Sequence, residues 1–580
     1  MKNAPKIACL FTVVVLTLTQ FARATETRYR LSLANALPDG PAVVDLSVMD
    51  GKFVGGDVGI APADVTALVR DGDKLRGKVT CTLDKQACWF NLDAMVRDGV
   101  VEGKYSGARG ETKVDGTVTG TVATAAFPPS PEHPVGWRGD GTGVFPFTDP
   151  PTQWAPAEWP PGPKNIRWRM KFSNFSWGNA QPIAVSNRLF VLSESTIMAC
   201  LNADTGDILW KKDMNALRAL QGDEFTKYWA MWEERQKAVT ASNKGDAAAT
   251  ARWKELDAVL LPKVGLHGDG CQQQYLKGYS YATPVTDGSL VYVKNGTGAL
   301  TAVDPDGNVK WAHNIGYNGG HSSVASPCLV DGHLIVWNAI SNGKTHRLSC
   351  FDAKTGAPVW QTEPRPSGPG AGCPSPIVLR LNGVPVILTA CGDIVRASDG
   401  RILAKEVHAQ NFSTPPFHDD VVFFNPSGNE VEAVRLTLRG DVVTATPIWN
   451  AKPAVGGKSS AAFGGLVYYD GYVYMLQQLG QFAVMDASTG EIKCAMDISP
   501  GKWGQSYPSL TVAGGRVHCF DWDGRGVIVK AGPTGEVIAR NGTLGGGPGS
   551  PFFVGNRMYM RNSYKKWISP WVYCIEAGNP

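Results

Sequence analysis

The 580-residue chain lacks most of the short motifs that announce chemistry. Twelve cysteines are present, yet there is no Cys-x-x-Cys pair, no Cys-x-x-Cys-His haem site and no adjacent Cys-Cys. Charge is scarce: 19% of residues are charged, the net charge is +4, and no long basic run occurs. Nucleic acid is therefore not an expected partner. Beyond the first two dozen residues, no stretch is apolar enough to cross a membrane. What the chain has in quantity is glycine, with 66 residues, and tryptophan, with 18. That is the turn-rich, aromatic profile of a large all-β protein.

Residues 1–24 read as a signal peptide. Lys2 and Lys6 precede an apolar run, Ile7–Leu18, and Ala22-Arg23-Ala24 fits a small-x-small cleavage site. Cys9 lies before most of that run, so it is not placed as a lipid-attachment cysteine. The expectation is a mature chain starting near Thr25, periplasmic or extracellular, with no transmembrane segment. Removing Cys9 from the twelve leaves an odd number, hence at least one unpaired thiol in a monomer. Cys81 and Cys88 are close enough for a small disulfide loop, which export would permit. Cys200, Cys350 and Cys574 occupy equivalent places in three repeats and read as buried thiols.

Residues 25–125 hold short alternating runs between Asp-Gly and Gly-Gly turns, the pattern of a small antiparallel sandwich or barrel. Residues 126–164 carry eleven prolines around Trp137–Gly143, WRGDGTG. They read as an extended, semi-rigid linker, the Arg-Gly-Asp as a turn. From residue 165 a unit recurs, clearest in Phe351–Trp360, FDAKTGAPVW. Asp352 bends onto nearby backbone, Gly356 closes a turn at positive φ, and Trp360 wedges the following strand against neighbouring structure. Leu201–Trp210 is the same unit, and looser copies are Met485–Cys494 and Lys530–Ala539. Each unit opens on small or polar residues, usually with a proline, as in Ala282-Thr283-Pro284 and Ala325-Ser326-Pro327.

Eight such openings at a spacing of about 40 to 50 residues predict an eight-bladed β-propeller of four-stranded blades. The last unit stops after Trp571–Glu576 without a fourth strand, and Asn165–Phe172 supplies a spare one, so closure by an N-terminal strand is expected. Residues 212–275 interrupt the period. Phe225, Trp229 and Trp232, then Trp253, Leu256, Val259 and Leu260, fall at helical spacing and predict a helical-hairpin insertion.

Residues just before and within each opening should line the mouth of the central channel. They are Trp177, Asn179, Gln181, Tyr281, His321, Ser322, Asn411, Lys458, Ser459, Gln505 and Tyr507. The set is polar, aromatic and mildly cationic, suited to a small anionic or sugar-like ligand or to ordered water. His321 is the one member that titrates near neutrality.

LNADTGDILW, FDAKTGAPVW and MDASTGEIKC resemble the blade motif of the pyrroloquinoline-quinone-like (PQQ-like) propeller repeat proteins. That family includes quinoprotein alcohol dehydrogenases and the BamB-type assembly lipoprotein. The resemblance spans roughly residues 165–580 and implies the propeller fold. Quinoprotein dehydrogenases also carry an adjacent Cys-Cys, calcium ligands and a catalytic aspartate over the quinone. This chain has no Cys-Cys, and its openings have no Asp or Glu, so PQQ and calcium are disfavoured and no cofactor is expected. The leading expectation is a secreted binding or scaffold protein without its own catalysis, with an envelope or extracellular protein or glycan as partner. A quinone-dependent oxidoreductase with a degenerate site is the alternative. A third reading is a polysaccharide-acting enzyme using His321, Lys458 or Tyr281 as acid/base groups.

Overall fold

A computed structural model describes residues 26–155, 164–171, 180–264, 281–316, 324–366, 373–408, 412–455, 462–562 and 570–578, apart from 39, 194–195, 341–344, 427, 500 and 502. The segment read as a signal peptide lies outside these residues. The alternating runs of the N-terminal region become eight antiparallel strands: β1 (Glu26–Leu37), β2 (Gly40–Met49), β3 (Lys52–Val58), β4 (Ala61–Asp71), β5 (Lys74–Leu83), β6 (Gln86–Arg97), β7 (Val100–Arg109) and β8 (Thr112–Ala123). Each pairs with the next, and β1 returns to β8 with Leu33 opposite Val118, closing a barrel. Period-two patterning sends Leu33, Val44, Leu75, Val79, Phe90, Val101 and Val118 inward, each fully buried. The interior is thus a packed core.

The eight-bladed propeller follows. Blades 1 to 7 take their strands from residues 183–213, 285–314, 328–361, 377–404, 417–451, 466–497 and 511–543. Blade 8 has three strands between 552 and 576, and its outermost strand is the earlier segment Ile166–Lys171. Arg169 lies opposite Tyr573 in that antiparallel closure.

The recurring turn is an inter-blade staple. Within it, Asp352 Oδ1 accepts from the Thr355 amide at 2.7 Å, and the Gly356 amide donates to the Asp352 carbonyl at 2.8 Å. Gly356 has φ +75°, and a Cβ there would stand 2.6 Å from the indole of Trp311 in the preceding blade. Trp311 Nε1 donates across the blade boundary to the Ala353 carbonyl at 3.0 Å. Trp168 on Ala203, Trp210 on Pro305, Trp360 on Ala397 and Trp449 on Ala487 repeat the bond. Cys200 and Cys350, both fully buried, lie directly beneath Trp210 and Trp360 across the outer strand pair.

Two expectations are corrected. Over its described residues, the proline-rich stretch is not a spacer between bodies but part of the propeller. Val135 pairs with Thr286 of blade 2, and Val144–Phe145 adds a parallel strand to the innermost strand of blade 7. The Asp149 amide then bonds Gly555 of blade 8 at 2.7 Å. Proline favours extended backbone whether that backbone is solvated or packed. The second concerns Cys81 and Cys88. They sit directly opposite on β5 and β6, but as free thiols and not as a disulfide. Burial pushes Cys81 up to about 12.

The insertion folds as two helices, α1 (Gly222–Ser242) and α2 (Ala247–Val264). Trp232, Leu256 and Leu260 are buried against Leu217, whereas Val259 is exposed. Trp232 Nε1 donates to Asp213 Oδ2 at 2.8 Å, tying α1 to the end of blade 1.

Candidate functional site: the propeller mouth

The blade openings form a girdle around the channel. Gln181 N–H donates to Thr283 Oγ1 at 3.2 Å, Thr283 N–H to Ser326 Oγ at 2.9 Å, Ser326 N–H to Ser375 Oγ at 2.9 Å and Ser375 N–H to Thr414 Oγ1 at 2.9 Å. Between blades 7 and 8, Ser509 N–H donates to Ser550 Oγ at 2.8 Å. Each hydroxyl satisfies an amide of the preceding blade, which would otherwise be buried unpaired. The proline after most of these residues holds them extended, so that they face the neighbour.

The WRGDGTG loop enters this girdle. Arg138, at 1% exposure, donates its backbone N–H to Gln181 Oε1 at 2.7 Å. Its guanidinium donates to the Thr142 carbonyl at 3.0 Å and to the Leu466 carbonyl of blade 6 at 2.8 Å. Burial lowers its pKa to about 10. Trp137 lines the space left at the mouth. The Arg-Gly-Asp is therefore a turn with its arginine inside the protein.

Four rings lie across blades 5 to 7 at this mouth. Phe412 meets Phe463 edge-on at 5.4 Å, Phe463 stacks on Tyr507 at 5.7 Å, and Tyr507 meets Trp522 edge-on at 5.2 Å. Phe412 is 40% exposed and Tyr507 41%. Tyr507 donates its hydroxyl to Gln505 Oε1 at 2.8 Å, which orients the ring.

Of the residues expected here, Gln181, Tyr281, Gln505 and Tyr507 are described, and Gln181, Tyr281 and Tyr507 line the mouth cavity. Gln181 is a structural residue: it is 2% exposed, with its side-chain oxygen bonded to Arg138 and its nitrogen to the Pro551 carbonyl at 2.6 Å. Trp177, Asn179, His321, Ser322, Asn411, Lys458 and Ser459 lie outside the described residues. Phe412, Phe463, Trp522 and Trp137 were missed. Phe412 and Phe463 directly flank the openings, so an aromatic at that offset was the available signal.

The mouth cavity has about 160 Å³ of space, against roughly 300–1,000 Å³ for drug-sized ligands. Its described lining has no Asp, Glu, His, Lys or Arg. Burial pushes its thiol, Cys373, up to about 12 and raises Tyr507. No acid–base pair stands among these side chains, and the girdle hydroxyls are already engaged. The described lining offers no carboxylate that could hold calcium beside a tricyclic quinone. A larger space of about 840 Å³ lies between the barrel, the proline-rich stretch and the propeller base. Two of its ion pairs, Arg380–Asp331 at 2.6 Å within the propeller and Arg30–Asp45 at 3.1 Å within the barrel, face this junction between the domains.

The family model described as outer membrane protein assembly factor BamB matches residues 163–375 and 344–517. A curated relative, outer membrane protein assembly factor BamB of Moranella endobia (strain PCIT), is 25% identical over 270 residues, 44% of this chain and 65% of its own length. The chain thus covers just under two thirds of that relative. BamB from Moraxella catarrhalis superposes with a TM-score of 0.45 at 15% identity, covering 71% of this chain and 99% of the other. The quinohemoprotein alcohol dehydrogenase from Comamonas testosteroni gives 0.44 at 13% identity, covering 72% and 76%.

Proposed function

The chain belongs to the PQQ-like propeller family described as outer membrane protein assembly factor BamB, and from that premise we propose that it is an exported scaffold that binds a protein segment at the aromatic mouth of its propeller, without chemistry of its own. The row of rings from Phe412 to Trp522 carries this reading. Exposed aromatic side chains offer large contact area for little conformational entropy and are enriched where proteins bind one another. The lack of an acid–base pair in the described lining supports binding over catalysis. The signal-like segment at 1–24 and the outer-membrane description of the family support an envelope location.

The test is cross-linked pull-down from an envelope fraction with the full chain and with Phe412→Ala/Tyr507→Ala. Retention of a defined partner by the parent and at least a tenfold loss with the double variant is the expected outcome. Equal retention by both proteins would overturn the mouth as the binding surface. Dye reduction with an alcohol after addition of pyrroloquinoline quinone and calcium would overturn the non-catalytic part, and a glycan-array signal lost in the double variant would replace protein by sugar.

A further inference from the structure

The barrel docks on the propeller base at blades 5 and 6, where an unusual polar cluster is enclosed. Asp45 on β2 and Asp57 on β3 are register partners, two carboxylates directly opposite each other. Like charges at such positions repel, so their retention calls for cations between or beside them. Arg30 on β1 supplies one, 3.1 Å from Asp45 and 2.5 Å from Asp419. The propeller brings His418, from the innermost strand of blade 5, to the other side.

His418 Nε2 stands 3.4 Å from Asp57 Oδ1, 3.7 Å from Asp45 Oδ2 and 3.9 Å from Asp419 Oδ2. The donor atoms of Asp45, Asp57 and His418 all lie within 4.8 Å of one another. Around a tetrahedral zinc ion with bonds near 2.0–2.1 Å, neighbouring donors are about 3.3–3.4 Å apart. The observed spacings are those of a shell slightly open around a central point.

A second observation is independent of the spacing. Asp57 is 2% exposed, and its Oδ2 accepts from the Tyr468 hydroxyl at 2.8 Å. That bond aims Oδ1 into the cluster, where it has no hydrogen-bond partner, and neither has His418 Nε2 facing it. A docking contact between imidazole and carboxylate would ordinarily close into a hydrogen bond, because a buried acceptor left unpaired is costly. At 3.4 Å the two atoms stand as an ion pair too long for a close hydrogen bond, a spacing that also accommodates a cation held by both. The surroundings suit one: the Tyr468 ring stacks on His418 at 4.5 Å, its hydroxyl holds Asp57, and Arg30 holds Asp45. Asp45 also lines the 840 Å³ junction space, which provides an entry path.

We propose that Asp45, Asp57 and His418 form a site for a divalent first-row cation of the zinc type, which clamps the barrel to blade 5. One imidazole nitrogen with carboxylate oxygens favours such a borderline cation over calcium, which takes oxygen ligands.

The test uses the full chain stripped with chelator and titrated with zinc chloride by calorimetry, alongside thermal unfolding and cobalt substitution. One zinc per chain, a raised unfolding midpoint and a visible cobalt spectrum without thiolate charge-transfer bands are expected. His418→Gln and Asp57→Asn should each weaken zinc binding at least a hundredfold, and Tyr468→Phe by about 10–100-fold, as for an outer-shell partner. Because other histidines and the cysteines could also take zinc, binding of wild-type affinity in both ligand variants would overturn the proposal. So would absence of stoichiometric binding, or a cobalt spectrum dominated by thiolate bands. Should His418→Gln fail to fold, Asp45→Asn on the more accessible strand carries the same expectation.

Discussion

Gly356 and Gly332 separate two demands that one residue type can meet. Both have positive φ, +75° and +77°, but a Cβ at Gly332 meets nothing within 4 Å, whereas at Gly356 it meets the Trp311 indole at 2.6 Å. Gly332→Ala should cost only the left-handed backbone penalty, about 1–2 kcal/mol. Gly356→Ala should cost clearly more, because the inter-blade indole must also move, and urea midpoints of the two variants would measure the difference. His518 makes a second residue-scale case. Burial, followed by the nearby Arg516 charge, lowers its pKa to about 3. The unfolded chain takes up this proton near pH 6.5 and the native chain does not until about pH 3, so stability falls as pH falls through that window. At pH 5 the loss is about 2 kcal/mol relative to pH 7. His518→Phe, which removes two ring nitrogens lacking hydrogen-bond partners, should shrink the difference between urea midpoints at pH 7 and pH 5. The turn itself was legible in Asp352, Thr355 and Gly356, since its bonds are local. The indole on Gly356 was not, because sequence spacing does not say which blade's tryptophan reaches which turn.

At the scale of elements, the openings gain a function that their period did not reveal. Ser or Thr before proline marked where blades 2 to 5 and blade 8 begin. Their hydroxyls prove to be acceptors for the neighbouring blade, a relation that exists only once the ring is closed. Thr283 is 1% exposed and receives the Gln181 amide. Thr283→Val should leave that N–H unpaired and cost about 1–3 kcal/mol, while Thr283→Ser should be close to neutral, as judged by chemical denaturation. The proline-rich stretch misled for a related reason. Its composition specifies extended backbone, yet Val135, Arg138 and Val144 find their partners in blades 2, 6 and 7, far along the chain. The candidate site was half legible: Tyr507 and Gln505 were placed at the mouth by topology, while the ring contacts joining Phe412, Phe463, Tyr507 and Trp522 depend on how three blades converge.

For the whole molecule, the order of the chain places closure at risk from one end. The barrel, the channel-filling loop around Arg138 and the strand Ile166–Lys171 are consecutive, and the last two complete a propeller whose remaining strands all come later. Eight openings and one missing strand were enough to foresee that closure. The barrel's seat on blades 5 and 6 was not foreseeable, since it rests on single residues such as Ile60, Asp57 and Tyr468 meeting across the junction. Two truncations separate these roles. A chain starting at residue 126 keeps the loop and the closing strand and loses only the barrel contacts. It should unfold cooperatively, at a lower midpoint, and keep the elution behaviour of the full chain, without aggregate, by size-exclusion chromatography. A chain starting at residue 172 leaves Trp571–Glu576 as an unpaired edge and removes Trp168 from Gly206 and Ala203. Open edges template association, so this form should aggregate or lose its cooperative transition. Equal behaviour of the two truncations would mean that the ring does not depend on its N-terminal strand.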